Sequence, residues 1–505
     1  MEHHILKARY GICDDNLSSL SQDAKDYALM KGVSQRTLDL PKDCRVPLSF
    51  CLLPSFFSEV YFNKVYRLQT YINSILLKVS FSKEILMECL SNTIEADEFT
   101  HNIFKIYEAV ENKEQTVMGI IRSDYLLHAD SDEKVTGIKQ VENNTISASF
   151  GGLAPTIKEL HEFILERLGQ KGFDHKLPLN ESCKDIAKGI VSAWDHYECQ
   201  NAIVLFVVED ETLNISDQRG LEYAILDIEN KIEVMRCTFK ELRKAACLKE
   251  NKLYVGLEHY MDKQHFCKSD ISLHQTVGKN VGIVSRQFRK DKEVAVVYYR
   301  TGYVPDQYEA EDWEIRLLME QSHAIKCPSA GLHLAGTKKV QAYLTRPGVL
   351  EKYVESNIAD EIREVFANQY SLEMGSDGDE AIKMAIENPE KFVLKPEREG
   401  GGNNLYGTEI KEFLENIKSS EERNAYILME RINPPSIPNC IIQRNQPPEI
   451  TNVIAELGIF GVVLGNKKNT YVNEFAGHLL RSKKADSDEC GIAAGFGALD
   501  SPYLD

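Results

Sequence analysis

Apolar residues recur at helical spacing through 17–110, as in Leu68, Tyr71, Ile72, Ile75 and Leu76, with few turn signals between them. The pattern predicts a helical N-terminal layer. From about residue 116 the texture changes. Segments 116–125 and 137–146 are rich in β-branched residues and read as strands, and 156–168 reads as the helix that follows. Short apolar runs at 202–208, 232–238 and 294–299, with a helical pattern at 218–229 between the first two, predict a parallel sheet with crossover helices. This sets off 201–337 as an α/β domain of its own. Within it, 247–290 is polar and irregular and reads as a surface insertion, long for a plain loop.

Helical patterns return at 312–326, 338–354, 360–367 and 380–386, before strands at 392–395 and 426–430. A long apolar alternation follows over 450–463, then the glycine-rich stretch AAGFGALD. There is no internal repeat and no low-complexity tract. The fold class is therefore α/β (α+β).

Composition narrows the function. The chain has 505 residues and a formal net charge of −18, so it lacks the basic footprint that nucleic acid or an anionic membrane requires. Apolar runs fall well short of the roughly 20 residues of a membrane span, and MEHHILKARY is no secretory leader, so the expected address is the cytosol. Twelve cysteines without a C-x-x-C pair read as reduced, mostly buried thiols.

Three constellations could carry chemistry. The first is KPEREGGGNN at 395–404, which follows a strand. A bare triple glycine is most simply a turn. Beside Lys395, Glu399, Asn403 and Asn404, it also has the parts of a phosphate and magnesium site, with backbone N–H groups unobstructed by side chains. It is neither a Walker loop nor G-x-G-x-x-G. The second is Glu142 and Asn144, two apart on a strand and so on one face; with a carboxylate from elsewhere, such as Glu399, they could hold a hard cation, or they could form a solvated face. The third is Arg122, Arg300 and Arg481 at strand ends, suited to bidentate contacts with carboxylate or phosphate, or to surface solubility. Asn214 and Gln218 begin a helix and could equally be caps. G-x-S-x-G and H-E-x-x-H are absent, and His323 and His478 read as structural.

Taken together, KPEREGGGNNLY (395–406), RSDY (122–125), ENNTISASFGG (142–152), Lys338 in LAGTKKVQ, Glu456 in ELGIFG and Arg481 in HLLRSK resemble eukaryotic glutathione synthetase. The similarity runs from about residue 50 to the C-terminus and breaks across 247–290. It implies an ATP-grasp fold with a helical N-terminal region (1–115), a first part of the core (116–200), the substrate domain (201–337) and an ATP-binding part (338–505) with a lid at about 369–451. It also implies a homodimer that joins γ-glutamylcysteine to glycine with ATP and two magnesium ions per subunit, through an acyl phosphate.

Residue by residue, the resemblance implies magnesium on Glu142, Asn144 and Glu399. It implies nucleotide contacts from Glu142, Lys338, the run Lys395, Pro396, Glu397, Arg398, Glu399, Gly400, Gly401, Gly402, Asn403 and Asn404, then Tyr406, Met429, Glu430, Arg431, Ile432, Glu456, Lys483 and Glu489. Arg122, Ser149, Gly400 and Arg481 are the implied catalytic groups. The dipeptide is implied along Arg122, Ile146, Ser147, Ala148, Ser149, Asn214, Gln218, Arg300, Thr301, Gly302, Tyr303 and Arg481, with Ile492 and Ala493 at the substrate end. Two positions depart from the family. Its Arg-Asp-Gly-Tyr stands here as Arg300-Thr301-Gly302-Tyr303, losing a carboxylate, and a tail Asp is Glu489, which keeps the charge. A ligase for another acceptor amino acid and a nucleotide-binding regulator without turnover are the alternative readings.

Overall fold

The computed structural model describes residues 2–110, 115–256, 291–488, 491, 492 and 497–505. Its centre is a seven-stranded sheet ordered Ile437–Ile442, Phe50–Cys51, Gly497–Asp500, Thr470–Lys484, Glu449–Gly465, Val117–Ala129, Val135–Asn144. The two longest strands, Glu449–Gly465 and Thr470–Lys484, are an antiparallel hairpin, and Val117–Ala129 pairs with the first of them from Val117 to Leu126.

Helices from the N-terminal region cover this sheet. Helix Glu59–Ser80 buries Val65, Leu68, Ile72, Ile75, Leu76 and Val79, a stripe at i, i+3, i+4 spacing that packs with Ile121, Leu457, Ile459 and Val463. Tyr71, in the expected stripe, is only partly covered. The opposite face packs on helices Ala154–Arg167 and Ser182–His196 through Ile157, Ile164, Ile190 and Phe460.

The expected parallel sheet is present. Strands Val234–Cys237, Ile203–Val207, Lys292–Tyr299 and Ile325–Cys327 run parallel, with helix Ile215–Ile228 between the chain's first two. A third sheet, Gln369–Ser371, Tyr426–Glu430, Phe392–Pro396 and Leu405–Tyr406, is antiparallel. Helices Ser376–Glu387 and Thr408–Ile417 back it around a small core of its own, including Ile382, Leu394, Ile410, Leu414 and Leu428.

Several elements differ from expectation. The helix expected over 312–326 stops at Gln321, and Ile325–Cys327 becomes a strand, because Ile325 to Cys327 can pair with the buried strand Lys292–Tyr299 and Pro328 bars a helix. The helix expected over 338–354 ends at Leu344, where Pro347 and Gly348, at φ 76°, turn the chain. Residues 31–58 interrupt the N-terminal helices with short strands. The start of the supposed insertion is a hairpin. Ala246–Lys249 pairs with Lys252–Val255 across a two-residue turn in which Glu250 and Asn251 both have positive φ, the geometry that matches strand twist. Residues 257–290 lie outside the described residues.

His478 is structural, as expected. It is buried beneath Phe62, ring centroids 5.2 Å apart, and burial together with Lys158 holds its imidazole down at about 3. A histidine kept neutral in the fold costs stability once the unfolded chain starts to take up a proton, below its ordinary value near 6.5. We therefore expect the stability gap between the wild type and His478→Leu to shrink by about 2 kcal/mol between pH 7 and pH 5, at about 1.4 kcal/mol per pH unit below 6.5. Denaturant titrations at the two pH values measure it; a gap that widens at pH 5 contradicts it.

Candidate functional site

Strand alternation assembles the site. Arg122, Asp124 and Leu126 project from one face of Val117–Ala129, and the register sets Arg122 against Asn144, Asp124 against Glu142 and Gly458, and Leu126 against Glu456. Glu456 in turn faces Arg481, and Ile454 faces Lys483. Seven polar residues, Arg122, Asp124, Glu142, Asn144, Glu456, Arg481 and Lys483, thus come from four adjacent strands onto one surface. The pairing slips after Asp124, leaving Val141 as a bulge whose carbonyl accepts a hydrogen bond from Lys395 Nζ at 2.9 Å.

The antiparallel sheet of residues 369–430 faces this surface across a cleft of about 280 Å³. Val393, Lys395 and Met429 line the cleft from that side. Glu397 sits buried behind them, its two carboxylate oxygens accepting from the main-chain N–H groups of Lys338 (3.0 Å) and Lys339 (2.7 Å). That grip fixes the start of helix Lys338–Leu344, and Lys338 Nζ then reaches the Arg398 carbonyl at 2.6 Å and the Glu399 carboxylate at 3.8 Å. Arg398 itself is pinned to Asp97, at the junction of two N-terminal helices, at 2.6 Å.

Gly400, Gly401 and Gly402 follow with φ of 96°, 71° and 76°. Three successive residues in the left-handed region are a conformation only glycine adopts without strain. The triple glycine is therefore demanded by the loop's path over the cleft.

The second wall is the loop after Asn144. Ser147 and Phe150 have positive φ (51° and 72°), and this strained backbone is held from several sides. Ser147 Oγ donates to the Tyr299 carbonyl at 3.1 Å, and Arg300 donates to the Ala148 carbonyl at 3.1 Å and to Ser149 Oγ at 2.9 Å. Arg300 is fully buried and paired with Asp217 at 3.1 Å.

Electrostatics concentrate on two carboxylates. Burial alone would raise Glu142, but Lys338, Lys395, Arg481 and Arg122 together hold its carboxyl below the usual range. Glu399 goes the other way: burial pushes it up and Glu142 and Glu397 add to this, against Lys338. Two carboxylates at odds in one cleft, both oxygen donors, suit a hard cation. Asn144 donates its Nδ2 to Asp124 at 2.9 Å, which turns its carbonyl oxygen the other way. Among the described residues no three His, Cys, Asp or Glu side chains form a metal cage; a magnesium ion here would take its remaining oxygens from phosphate and water.

Of the residues expected at the site, most of the nucleotide set lines this one cleft, including Glu142, Lys338, Lys395, Glu399, Gly400, Gly401, Met429, Ile432, Glu456 and Lys483. So do Arg122, Asn144, Arg481, Ile146, Ala148, Ser149, Tyr303 and Ile492. Pro396, Glu397 and Gly402 stand outside the lining, as do Asn214, Gln218, Arg300, Thr301 and Gly302. Gln218 accepts from Arg236 at 2.7 Å and donates to Asn214 at 3.2 Å, so this group braces helix Ile215–Ile228 against strand Val234–Cys237. Glu489 and Ala493 lie outside the described residues. Asp97 and Asp488 escape the sequence reading, since nothing local marks them. Asp488 lines the cleft mouth, paired with Arg431 at 2.9 Å, and its carbonyl accepts from Lys483 and Tyr406.

Known proteins share this architecture. A family model described as the eukaryotic glutathione synthase ATP-binding domain matches residues 14–504. The chain belongs to the eukaryotic glutathione synthase family. The family match begins well before the expected start near residue 50. Glutathione synthetase of Rattus norvegicus is 39% identical over 497 residues, covering 97% of each chain, and that of Homo sapiens is 39% identical over 494 residues, 96% of this chain and 97% of the human one. The chloroplastic enzyme of Arabidopsis thaliana is 36% identical, covering 97% of this chain and 86% of its own. A solved glutathione synthetase-like effector from Globodera pallida, in apo form, superposes with a TM-score of 0.75 over 98% of both chains at 23% identity. The family's ATP-grasp fold is the fold of this chain.

Proposed function

We propose that the protein is a glutathione synthetase, an ATP-dependent ligase that joins γ-glutamylcysteine to glycine and releases ADP and phosphate. The observation that carries this reading is the single cleft in which Lys338, Lys395, Glu142 and Glu399 meet beneath three left-handed glycines, opposite Arg122 and Arg481.

The chemistry needs positioning and charge neutralisation more than a nucleophilic side chain. The cysteinyl carboxylate of the dipeptide attacks the γ-phosphorus; the bond to the β,γ-bridging oxygen breaks and ADP leaves. The glycine amine then attacks the acyl phosphate carbonyl, loses a proton, and phosphate departs as the amide forms. Lys338 and Lys395 hold phosphate oxygens. Glu142, Asn144 and Glu399 hold magnesium, which neutralises phosphate charge when bound. Arg122, Arg481, the Ser149 hydroxyl and the Gly400 N–H face the charge that builds on the reacting centre. The glycine loop and the sheet behind it act as a cover that excludes water from an intermediate water would destroy.

On this reading the dipeptide runs along Ile146–Ser149 toward Tyr303, with Arg300 shaping that wall from behind and Asn214 and Gln218 bracing the domain beside it. Homodimerisation and a cytosolic address complete the proposal. Ile492, which lines the cleft, would shape the acceptor end. ADP release with γ-glutamylcysteine and glycine, alanine, β-alanine or serine in turn tests it: glycine is expected to be preferred at least tenfold, and preference for another acceptor sinks the glycine assignment.

A further inference from the structure

Beneath the cleft floor lies a carboxylate that the reaction as written does not use. Asp124 is 0% exposed and lies outside the cleft lining, yet it touches three residues that do line it. Its Oδ1 accepts from Arg122 Nε at 2.7 Å. Its Oδ2 accepts from Arg122 Nη2 at 2.8 Å, from Arg481 Nη2 at 3.0 Å and from Asn144 Nδ2 at 2.9 Å. The strands of Arg122, Asn144 and Arg481 are thereby tied to one point.

The neighbouring strand is built to leave room for that point. Gly458 sits directly opposite Asp124, and a Cβ there would fall 2.8 Å from Asp124 Oδ1 and 2.9 Å from Arg122 Cδ. A side chain at Gly458 would displace the pair.

Resting on the ligase reading, we propose that Asp124 is the positioning residue of the site. It sets both guanidinium groups and turns the Asn144 carbonyl, so that the three act as one preorganised unit on the transferring phosphoryl group. Two guanidinium groups at one cleft repel each other, and in an open cleft each has several rotamers. A shared buried carboxylate cancels part of that repulsion and selects one arrangement before substrate arrives. Donors fixed in advance cost no reorganisation when charge develops, and bidentate pairing to Arg122 fixes orientation as well as distance. Lys338, Lys395 and Met429 do not touch Asp124, and its link to the nucleotide runs through the magnesium ligand Asn144, so the role separates turnover from affinity for ATP without magnesium.

The test uses the full chain. Asp124→Asn is expected to fold, to bind ATP within about threefold of the wild type when magnesium and the other substrates are absent, and to lose kcat by about a hundredfold or more, in the range for removing a preorganised donor. Because Asp124 acts through the arginines, the double variant Asp124→Asn with Arg481→Ala is expected to turn over within about threefold of Arg481→Ala alone, the signature of coupled residues. Asp124→Glu keeps the charge but moves its oxygens, and is expected to fold with kcat reduced at least tenfold. Wild-type kcat in a folded Asp124→Asn, a fully additive double variant, or failure of both single variants to fold overturns the inference; the last outcome makes Asp124 a residue of the fold alone. If the wild type forms no ADP with γ-glutamylcysteine and glycine, the ligase reading fails and the inference with it. Undiminished Asp124→Asn turnover beside an active wild type sinks only the inference.

Discussion

Arg481→Ala is expected to lower kcat by about a thousandfold, the upper part of the range for losing one preorganised donor. Two things are lost together. The guanidinium no longer meets the charge developing at the reacting carboxylate, and Asp124 and Glu456, both buried and both paired to Arg481, lose a counter-ion. Removing one partner of such a network costs roughly 3–5 kcal/mol, so the melting temperature should fall as well. Arg481→Lys separates the effects. It returns a positive charge beside Glu456 without a planar fork, so it should restore much of the stability and little of the turnover. Recovery of full turnover in Arg481→Lys would show that charge alone is needed there.

Gly401→Val is expected to lower kcat by about a hundredfold with the melting temperature nearly unchanged. At φ 71°, between two neighbours that also have positive φ, a β-branched side chain cannot keep the loop's path. The loop carries little of the core, so the cost falls on closure. Closure exposes an acyl phosphate to water when it is incomplete, so the variant should also release more ADP than tripeptide. Unchanged kcat, with ADP and tripeptide still in step, would return 400–402 to the status of a turn.

Apolar alternation and β-branched content made the strands around Arg122, Glu142 and Glu456 readable, whereas of the long strand Thr470–Lys484 only its end at Arg481 was marked. Motif resemblance then gathered residues that lie hundreds of positions apart. What stayed hidden depends on pairing. Ile325–Cys327 is a strand because Lys292–Tyr299 lies alongside it. The turn at Glu250 and Asn251 lacks the glycine that usually announces such a hairpin. The bulge at Val141 follows from register between two strands and leaves no mark on either. Arg300, expected along the dipeptide, sits behind the cleft lining and bonds Asp217, Ala148 and Ser149 there, a placement that only the fold reveals. Asp124 stood in the quoted RSDY, but only the register with Gly458 and the reach of Arg481 reveal its contacts.

The ligation itself is tested most directly by quantifying tripeptide, ADP and phosphate from one reaction with ATP, magnesium, γ-glutamylcysteine and glycine, and with each left out in turn. The complete mixture is expected to yield the three products in equal amounts, any omission to yield no tripeptide, and the omission of glycine to leave at most slow ADP formation. Equal ADP with or without γ-glutamylcysteine, or a complete mixture that yields no tripeptide, would contradict the ligation.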